Sequence, residues 1–123
     1  MILLNIPLPT AAAGTAEEAY AVIPYEARII SAKLVPHTAA AANGTNYATV
    51  GLAANDGANG ASFSAIATSL TTETVALVLG TVREFALTSP NVVAGTVVRV
   101  AKTVAGSGAV ADCSVILELE KIF

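Results

Sequence analysis

Residues 90–123 read PNVVAGTVVRVAKTVAGSGAVADCSVILELEKIF, two β-like runs joined by a loop of Gly, Ser and Ala. The second run, Cys113–Lys121, alternates between an apolar side and a polar side, and the apolar side is Cys113, Val115, Leu117 and Leu119. Because successive side chains of a strand point to opposite faces, this pattern predicts one buried face and one solvated face. Ile116 is the one apolar residue on the solvated side.

Comparable runs recur along the chain, separated by turn signals such as Asn43-Gly44 and Asp56-Gly57. The predicted strands before the last one are Glu26–Val35, Asn46–Ala53, Ala61–Ser69, Thr72–Leu79, Val82–Leu87 and Thr96–Val104. Short runs that repeat at intervals of about ten residues are typical of an all-β sandwich or barrel.

Helix and strand compete in one segment, Ala16–Ala21. Thr15 and Glu18 have the spacing of a helix capping box, in which each side chain satisfies a backbone donor of the other. The segment runs through Tyr20 directly to Pro24, which leaves room for only a turn or two of helix. Strand is therefore favoured.

Residues 1–9, MILLNIPLP, are apolar and alternate weakly before Pro7 and Pro9. This pattern predicts an N-terminal arm or edge strand ahead of a single β-sandwich domain at residues 10–123. The segment is too short to span a bilayer and lacks a basic start, so it predicts neither a transmembrane helix nor a signal peptide. We therefore expect synthesis in a cytoplasm and no membrane partner.

The composition favours an assembled protein. Of the 123 residues, 54% are apolar, yet many of these are Ala and Val, and only 12% are charged, against about 25% in a typical domain. Few charged groups are left to hydrate the surface of a monomer, so we expect a homo-oligomer. The net charge is −3 and the six basic residues are scattered, which argues against direct binding to nucleic acid.

The sequence offers no convincing catalytic group. His37 is the only histidine and follows a proline at a strand end. Gly106-Ser107-Gly108 lacks the strand-to-helix setting of a nucleophile elbow. Glu118 and Glu120 share one strand face, as an acid/base pair would, but have the surroundings of a solvated face. No enzymatic activity is expected.

Metal and redox chemistry are equally weakly supported. Asn55, Asp56 and Asn59 supply oxygen ligands in a glycine-rich loop, but only one of them is a carboxylate, and hard-cation sites gather several. Cys113 is the only cysteine, and it lies on the apolar side of its strand, which is typical of a small core residue. No metal or cofactor is therefore predicted.

Apolar residues on otherwise polar strand faces are the candidate contacts between subunits or with a larger partner. They are Ile29, Val35, Ile66, Val97 and Ile116, each on the side opposite the better core face of its strand. Apolar residues of the arm, Ile2, Leu3, Leu4 and Ile6, join them because an arm can reach across a subunit boundary. One such residue means little, but several in a charge-poor chain indicate an interaction surface.

Four pieces of the chain, in order, carry a family resemblance: Tyr25–Pro36 (YEARIISAKLVP), Asn43–Leu52 (NGTNYATVGL), Phe85–Val104 (FALTSPNVVAGTVVRVAKTV) and a Gly-rich loop before Val115–Leu119. This order resembles small jelly-roll proteins encoded among the head genes of tailed bacteriophages, namely decoration or cement proteins and head-fibre bases. The matching residues are TNYATV at 45–50, VVAGTVV at 92–98, KT at 102–103 and GSG at 106–108. Where that group has an acidic residue after the corner glycine, this chain has Thr96.

The resemblance implies a jelly-roll-like antiparallel β-sandwich of about eight strands. It also implies a trimer that lies on the outer capsid surface of a virion. This trimer would clamp neighbouring major capsid protein subunits together and would have no catalytic or cofactor residues. Sandwich folds host many functions, so a carbohydrate- or surface-binding module of a phage fibre stays open as an alternative. The absence of Trp and the presence of only three Tyr favour the structural role.

Overall fold

The computed structural model of the chain describes residues 2–8, 16–55, 62–88, 91–106 and 113–122, except for the side chain of Ile2. None of these residues is helical. They form the strands β1 (Ile2–Pro7), β2 (Glu17–Val22), β3 (Ala27–Pro36), β4 (Tyr47–Ala54), β5 (Ser64–Ala65), β6 (Leu70–Thr71), β7 (Arg83–Glu84), β8 (Asn91–Val92), β9 (Val97–Ala105) and β10 (Cys113–Lys121).

The strands form two antiparallel sheets of five strands each. Sheet A has the order β1-β10-β3-β7, with β8 also paired to β3, and sheet B has the order β2-β9-β4-β5, with β6 also paired to β4. Strands from the beginning and the end of the chain interleave in each sheet, and β1 to β4 lie alternately in sheet A and sheet B. This is the strand order of a jelly roll, in which Greek keys wrap a two-sheet sandwich. The predicted jelly-roll-like β-sandwich is confirmed.

The core lies between the two sheets and is almost entirely aliphatic. The apolar side predicted for β10 is fully buried, and sheet B faces it with Ala48, Val50 and Leu52 of β4 and with Val98 and Val100 of β9. Phe85 is the single aromatic side chain among the buried residues of the described chain. Burying an aliphatic side chain stabilises a fold by about 1.5–3 kcal/mol, so the sheets are held together by the number of these side chains.

The N-terminal segments are both strands. β1 pairs with β10 from Ile2 opposite Leu119 to Pro7 opposite Ser114, so residues 2–7 form an edge strand of sheet A. β2 pairs with β9 along its whole length, so the strand prediction for Ala16–Ala21 is confirmed over the helix alternative.

A β-bulge in β3 corrects the predicted position of Ile29. Ser31 lies opposite Glu118, but Ile29 lies opposite Leu119, so Ile30 is an extra residue in β3. A bulge of this kind shifts the alternation by one residue. Ile29 is therefore only 1% exposed and belongs to the core, whereas Ile30 points outward.

A corner between the sheets corrects the predicted position of Ile66. Its backbone N–H donates to the Leu52 carbonyl in sheet B at 3.1 Å, and its own carbonyl accepts from the Thr88 N–H at 2.8 Å. Both are ordinary distances for a backbone hydrogen bond. Strand alternation is lost where the chain leaves the ladder, so Ile66 and the following Ala67 are both buried. Ile66 is a core residue.

The strand predicted at Thr72–Leu79 is wrong. The hydroxyl of Thr72 accepts the N–H of Ala48 at 3.0 Å, and the hydroxyl of Thr71 accepts the N–H of Glu73 at 3.1 Å. A threonine hydroxyl that bonds a nearby backbone group, as Thr71 does with Glu73, competes with a sheet ladder. The chain leaves sheet B after β6, and residues 72–82 form a loop in which Leu77 makes an isolated bridge to Ala40.

Candidate functional site

The predicted contact residues divide into outward-facing and buried groups. Ile6 is 1% exposed in the core, beside Ile29 and Ile66, so these three do not present their side chains to a partner. Leu4 packs against the core and is half-buried. The side chain of Ile2 lies outside the described residues.

Three of the predicted contacts meet on the outer face of sheet A. Leu3 lies opposite Glu118, Ile116 lies opposite Lys33, and Val35 lies opposite Ser114. Diagonal neighbours on adjacent strands are about 7–8 Å apart, so Leu3, Ile116 and Val35 form a short apolar diagonal across three strands. Val97 lies apart from them, half-buried in β9 of sheet B.

The outer faces of the two sheets differ in charge. The described strands of sheet A carry five charged side chains on the outer face: Arg28, Lys33, Glu84, Glu118 and Glu120. The described strands of sheet B carry two, Glu18 and Arg99, which lie 3.9 Å apart. Because few charged groups hydrate the outer face of sheet B, this face is a candidate for contact with a ligand.

A shallow groove of about 240 Å³ crosses the outer face of sheet B. Its floor is made of small residues from β4, β5 and β9: Gly51, Ala53, Ala65 and Ala101. The hydroxyl-bearing residues at the groove are Thr49, Ser69 and Thr103, and Phe63 and Arg99 form one wall. The groove therefore combines an open floor with polar groups and one rigid wall.

The wall of Phe63 and Arg99 belongs to a cluster of four side chains, whose other two members, Tyr20 and Glu18, lie beside the groove and not in its lining. The Arg99 guanidinium lies 4.6 Å from the centroid of the Phe63 ring, a cation–π distance. The Tyr20 ring lies 6.1 Å from the Phe63 ring at 56°, and its hydroxyl donates to Glu18 Oε2 at 2.5 Å. This hydrogen bond is the main reason that the pKa of Tyr20 is raised above its ordinary value. Arg99 Nε is buried without a hydrogen-bond partner.

A second surface is the loop between β6 and β7, which we call the apolar loop (residues 72–82). It carries four large aliphatic side chains, Val75, Val78, Leu79 and Val82, each between 48% and 59% exposed. Exposed apolar side chains are ordinary when scattered, but four within eight residues form a concentrated patch.

The apolar loop is held in place at two points. Leu77 is buried and exchanges two backbone hydrogen bonds with Ala40, of 2.8 and 3.0 Å. The turn from Val78 to Thr81 is closed by a 3.1 Å hydrogen bond, with Gly80 at φ +80° as its third residue. Positive φ at this position is the signature of a type II turn. Both anchors fix the backbone that presents Val78 and Leu79 to the outside.

The residues weighed earlier for catalysis lie in structural contacts. His37 Nε2 is 3.1 Å from the Ser114 hydroxyl, and Glu120 forms a solvent-exposed ion pair with Arg28. The side chain of Asn55 accepts the Val97 N–H at 2.9 Å. Asp56, Asn59, Ser107 and Gly108 lie outside the described residues.

Within the described ranges, no three His, Cys, Asp or Glu side chains come together as a metal site. The same part of the chain contains no helix that could cross a membrane. Comparison with protein-family models, with curated proteins and with solved structures found no match to this chain.

Sequence reasoning missed both the groove and the apolar loop. The signal for the groove was Gly51, a glycine in the middle of a predicted strand, because such a residue often marks a close approach to the backbone. The loop was hidden because Val75, Leu77 and Leu79 alternate as in a strand. Only Leu77 of these three is buried.

Proposed function

We propose that the protein is a non-enzymatic structural component of a tailed-phage virion. It assembles as a homotrimer on the outer surface of the capsid and stabilises the head by binding neighbouring major capsid protein subunits. The family resemblance supplies the role, and the jelly-roll strand order agrees with the fold that the resemblance implies.

The apolar loop is the observation that carries the proposal. Fully burying a Val or Leu side chain stabilises by about 1.5–3 kcal/mol, so covering the exposed halves of four such side chains is worth roughly 4 kcal/mol per subunit. Obligate interfaces between identical subunits are the most apolar class of protein interface. We therefore assign the apolar loop to the contact between copies of this chain. This contact covers the loop before the trimer binds the capsid.

The capsid role then follows from repetition. A ligand that binds the assembled lattice and not its free subunits stabilises the lattice by mass action. A trimer that touches several capsid subunits gains avidity without a strong single contact. The apolar diagonal of Leu3, Ile116 and Val35 on sheet A is our candidate for part of this second contact.

The test combines a double variant with a control of matched exposure. Val78→Asp together with Leu79→Asp places two carboxylates in the proposed subunit contact. Val93→Asp changes a residue that is 49% exposed in the β8–β9 turn. Arg83 of β7 lies opposite Leu34 and Val92 of β8 lies opposite Ala27, seven residues apart on β3, so the strand that follows the loop and the strand that precedes Val93 are separated by roughly 20 Å along the sheet.

Native mass spectrometry and co-sedimentation with heads assembled without this protein give the readouts. The wild type and Val93→Asp should be trimers that co-sediment with heads, and the double variant should be a folded monomer with much weaker binding. A wild-type monomer would refute the trimer, and a wild-type protein that leaves heads unoccupied would refute the virion role.

A further inference from the structure

We propose that the groove on sheet B binds one pyranose ring of a neutral saccharide. This activity is independent of the virion role, because the groove is lined by residues of β4, β5, β9 and their neighbours and by no residue of the apolar loop.

The floor is open because position 51 has no side chain. A Cβ built on Gly51 would meet one atom, Ser69 Oγ at 3.4 Å, so the fold leaves room for a larger residue. Among the described glycines, those with positive φ are Gly80, Gly95 and Gly106, and Gly51 is not one of them. Glycine inside a strand costs roughly 0.5–1 kcal/mol relative to alanine. A glycine that neither φ nor packing requires indicates that something approaches this backbone from outside.

The size of the groove limits its occupant. Pockets for drug-sized molecules span about 300–1,000 Å³, and this groove of about 240 Å³ lies below that range. It accommodates a single six-membered ring, with the rest of a chain lying over the sheet. The floor of Gly and Ala gives a protein partner little apolar area to bury.

The lining matches the two kinds of surface that a pyranose offers. Its hydroxyl edge meets Thr49, Ser69 and Thr103, whose side chains both donate and accept hydrogen bonds. Its apolar C–H face packs against Phe63, the aromatic side chain of the lining, and the Tyr20 ring supports Phe63 from beside the groove. Arg99 holds Phe63 in place by stacking, so the wall needs little ordering when a ligand binds.

The charges at the wall favour a neutral sugar. Among the described residues that line the groove, Arg99 alone is charged, and the Glu18 carboxylate lies 3.9 Å from its Nε. The two charges oppose each other, so an anionic sugar meets no net positive charge. A hydroxyl-rich neutral ring instead finds a hydrogen-bond donor in the Arg99 guanidinium, which lines the groove.

Saturation-transfer NMR tests the proposal with four probes: the methyl pyranosides of glucose, galactose and N-acetylglucosamine, and methyl glucuronide as the charged comparison. At least one neutral probe should bind with a Kd in the millimolar range, and Gly51→Val, which fills the floor, should weaken it by about tenfold or more. Gly44→Val is the matched control, because a Cβ on Gly44 meets nothing within 4 Å. It should bind as the wild type does.

Several outcomes would overturn the assignment. These are the absence of saturation transfer to every neutral probe, binding that is confined to the glucuronide, and equal binding by Gly51→Val and the wild type. A change in the oligomeric state of Gly51→Val, measured by native mass spectrometry, would also overturn the assignment. It would mean that the outer face of sheet B is an interface between copies of the chain. Gly51→Val should still occupy heads, so failure of the saccharide site and failure of the virion role give different results.

Discussion

Gly106 follows β9 and is held against the loop that precedes β4. Its φ is +60°, and a Cβ built there would overlap Asn46 Oδ1 and lie 2.8 Å from the Thr45 carbonyl oxygen. Gly106→Ala therefore brings a backbone conformation that L-residues avoid and a contact that the neighbouring backbone must move to relieve. Two other glycines separate these effects: Gly95 has φ +86° and free space around its Cβ position, and Gly44 has free space and no positive φ.

The expected free energies follow from these differences. A left-handed conformation costs an L-residue about 1–2 kcal/mol, and the lower entropy of the unfolded chain returns about 0.4–1 kcal/mol in any Gly→Ala change. Gly95→Ala should thus cost about 0.5–1 kcal/mol, and Gly44→Ala should be neutral or slightly stabilising. Gly106→Ala adds an overpacking cost of about 1–3 kcal/mol, so its free energy of unfolding should fall by about 2–4 kcal/mol.

Urea denaturation of the three variants at one protein concentration measures this order. With a slope of about 1.5 kcal/mol per molar urea, Gly106→Ala should lower the midpoint by roughly 2 M and Gly95→Ala by roughly 0.5 M. The steric contact assigned to Gly106 would be refuted if Gly106→Ala were no less stable than Gly95→Ala. It would also be refuted if Gly44→Ala, which lacks both costs, lost as much stability as either.

Two further predictions concern β10 and the aromatic wall. Leu117→Ala removes a fully buried side chain and should lower the free energy of unfolding, measured by urea denaturation, by about 2–5 kcal/mol. Leu3→Ala at an exposed position of β1 should change it by no more than about 0.5 kcal/mol. Similar losses of stability at both positions would contradict the assigned faces. The hydrogen bond to Glu18 raises the pKa of Tyr20 above its ordinary value of 10.0. The stability that this hydrogen bond contributes should therefore be present below pH 10 and be lost as the pH rises through the raised pKa. In ultraviolet titrations of tyrosinate, with Tyr20→Phe assigning the step, Glu18→Gln should bring the Tyr20 step to lower pH, and an unmoved step would refute this cause.

Regular alternation is the part of the fold that the sequence predicts well. β4 and β9 pair over eight residues without a register shift, so their side chains alternate between the two faces as their positions in the runs predict. The jelly-roll order, however, depends on which strands pair over long distances in the chain. It was reached through the resemblance, because local patterns carry no information about such pairing.

The errors fall where a strand departs from a regular ladder. The extra residue Ile30 in β3 reverses the faces of Ile29 and its neighbours, and a bulge is defined by the partner strand, which the local sequence does not contain. Ile66 lies at a corner where two consecutive residues point inward. The groove depends on side chains from strands that are distant in sequence, so only Gly51 gave a local sign of it.

The unequal charge of the two sheets also makes the molecule chemically one-sided. The chain has three lysines. Lys102 points into the sandwich and is buried, while Lys33 and Lys121 belong to β3 and β10 of sheet A. Reagents that modify lysine amines under native conditions will therefore attach dyes, affinity tags or cross-linkers along sheet A and leave the groove of sheet B unmodified. The protein can thus be immobilised by its lysines with the proposed saccharide site facing away from the support.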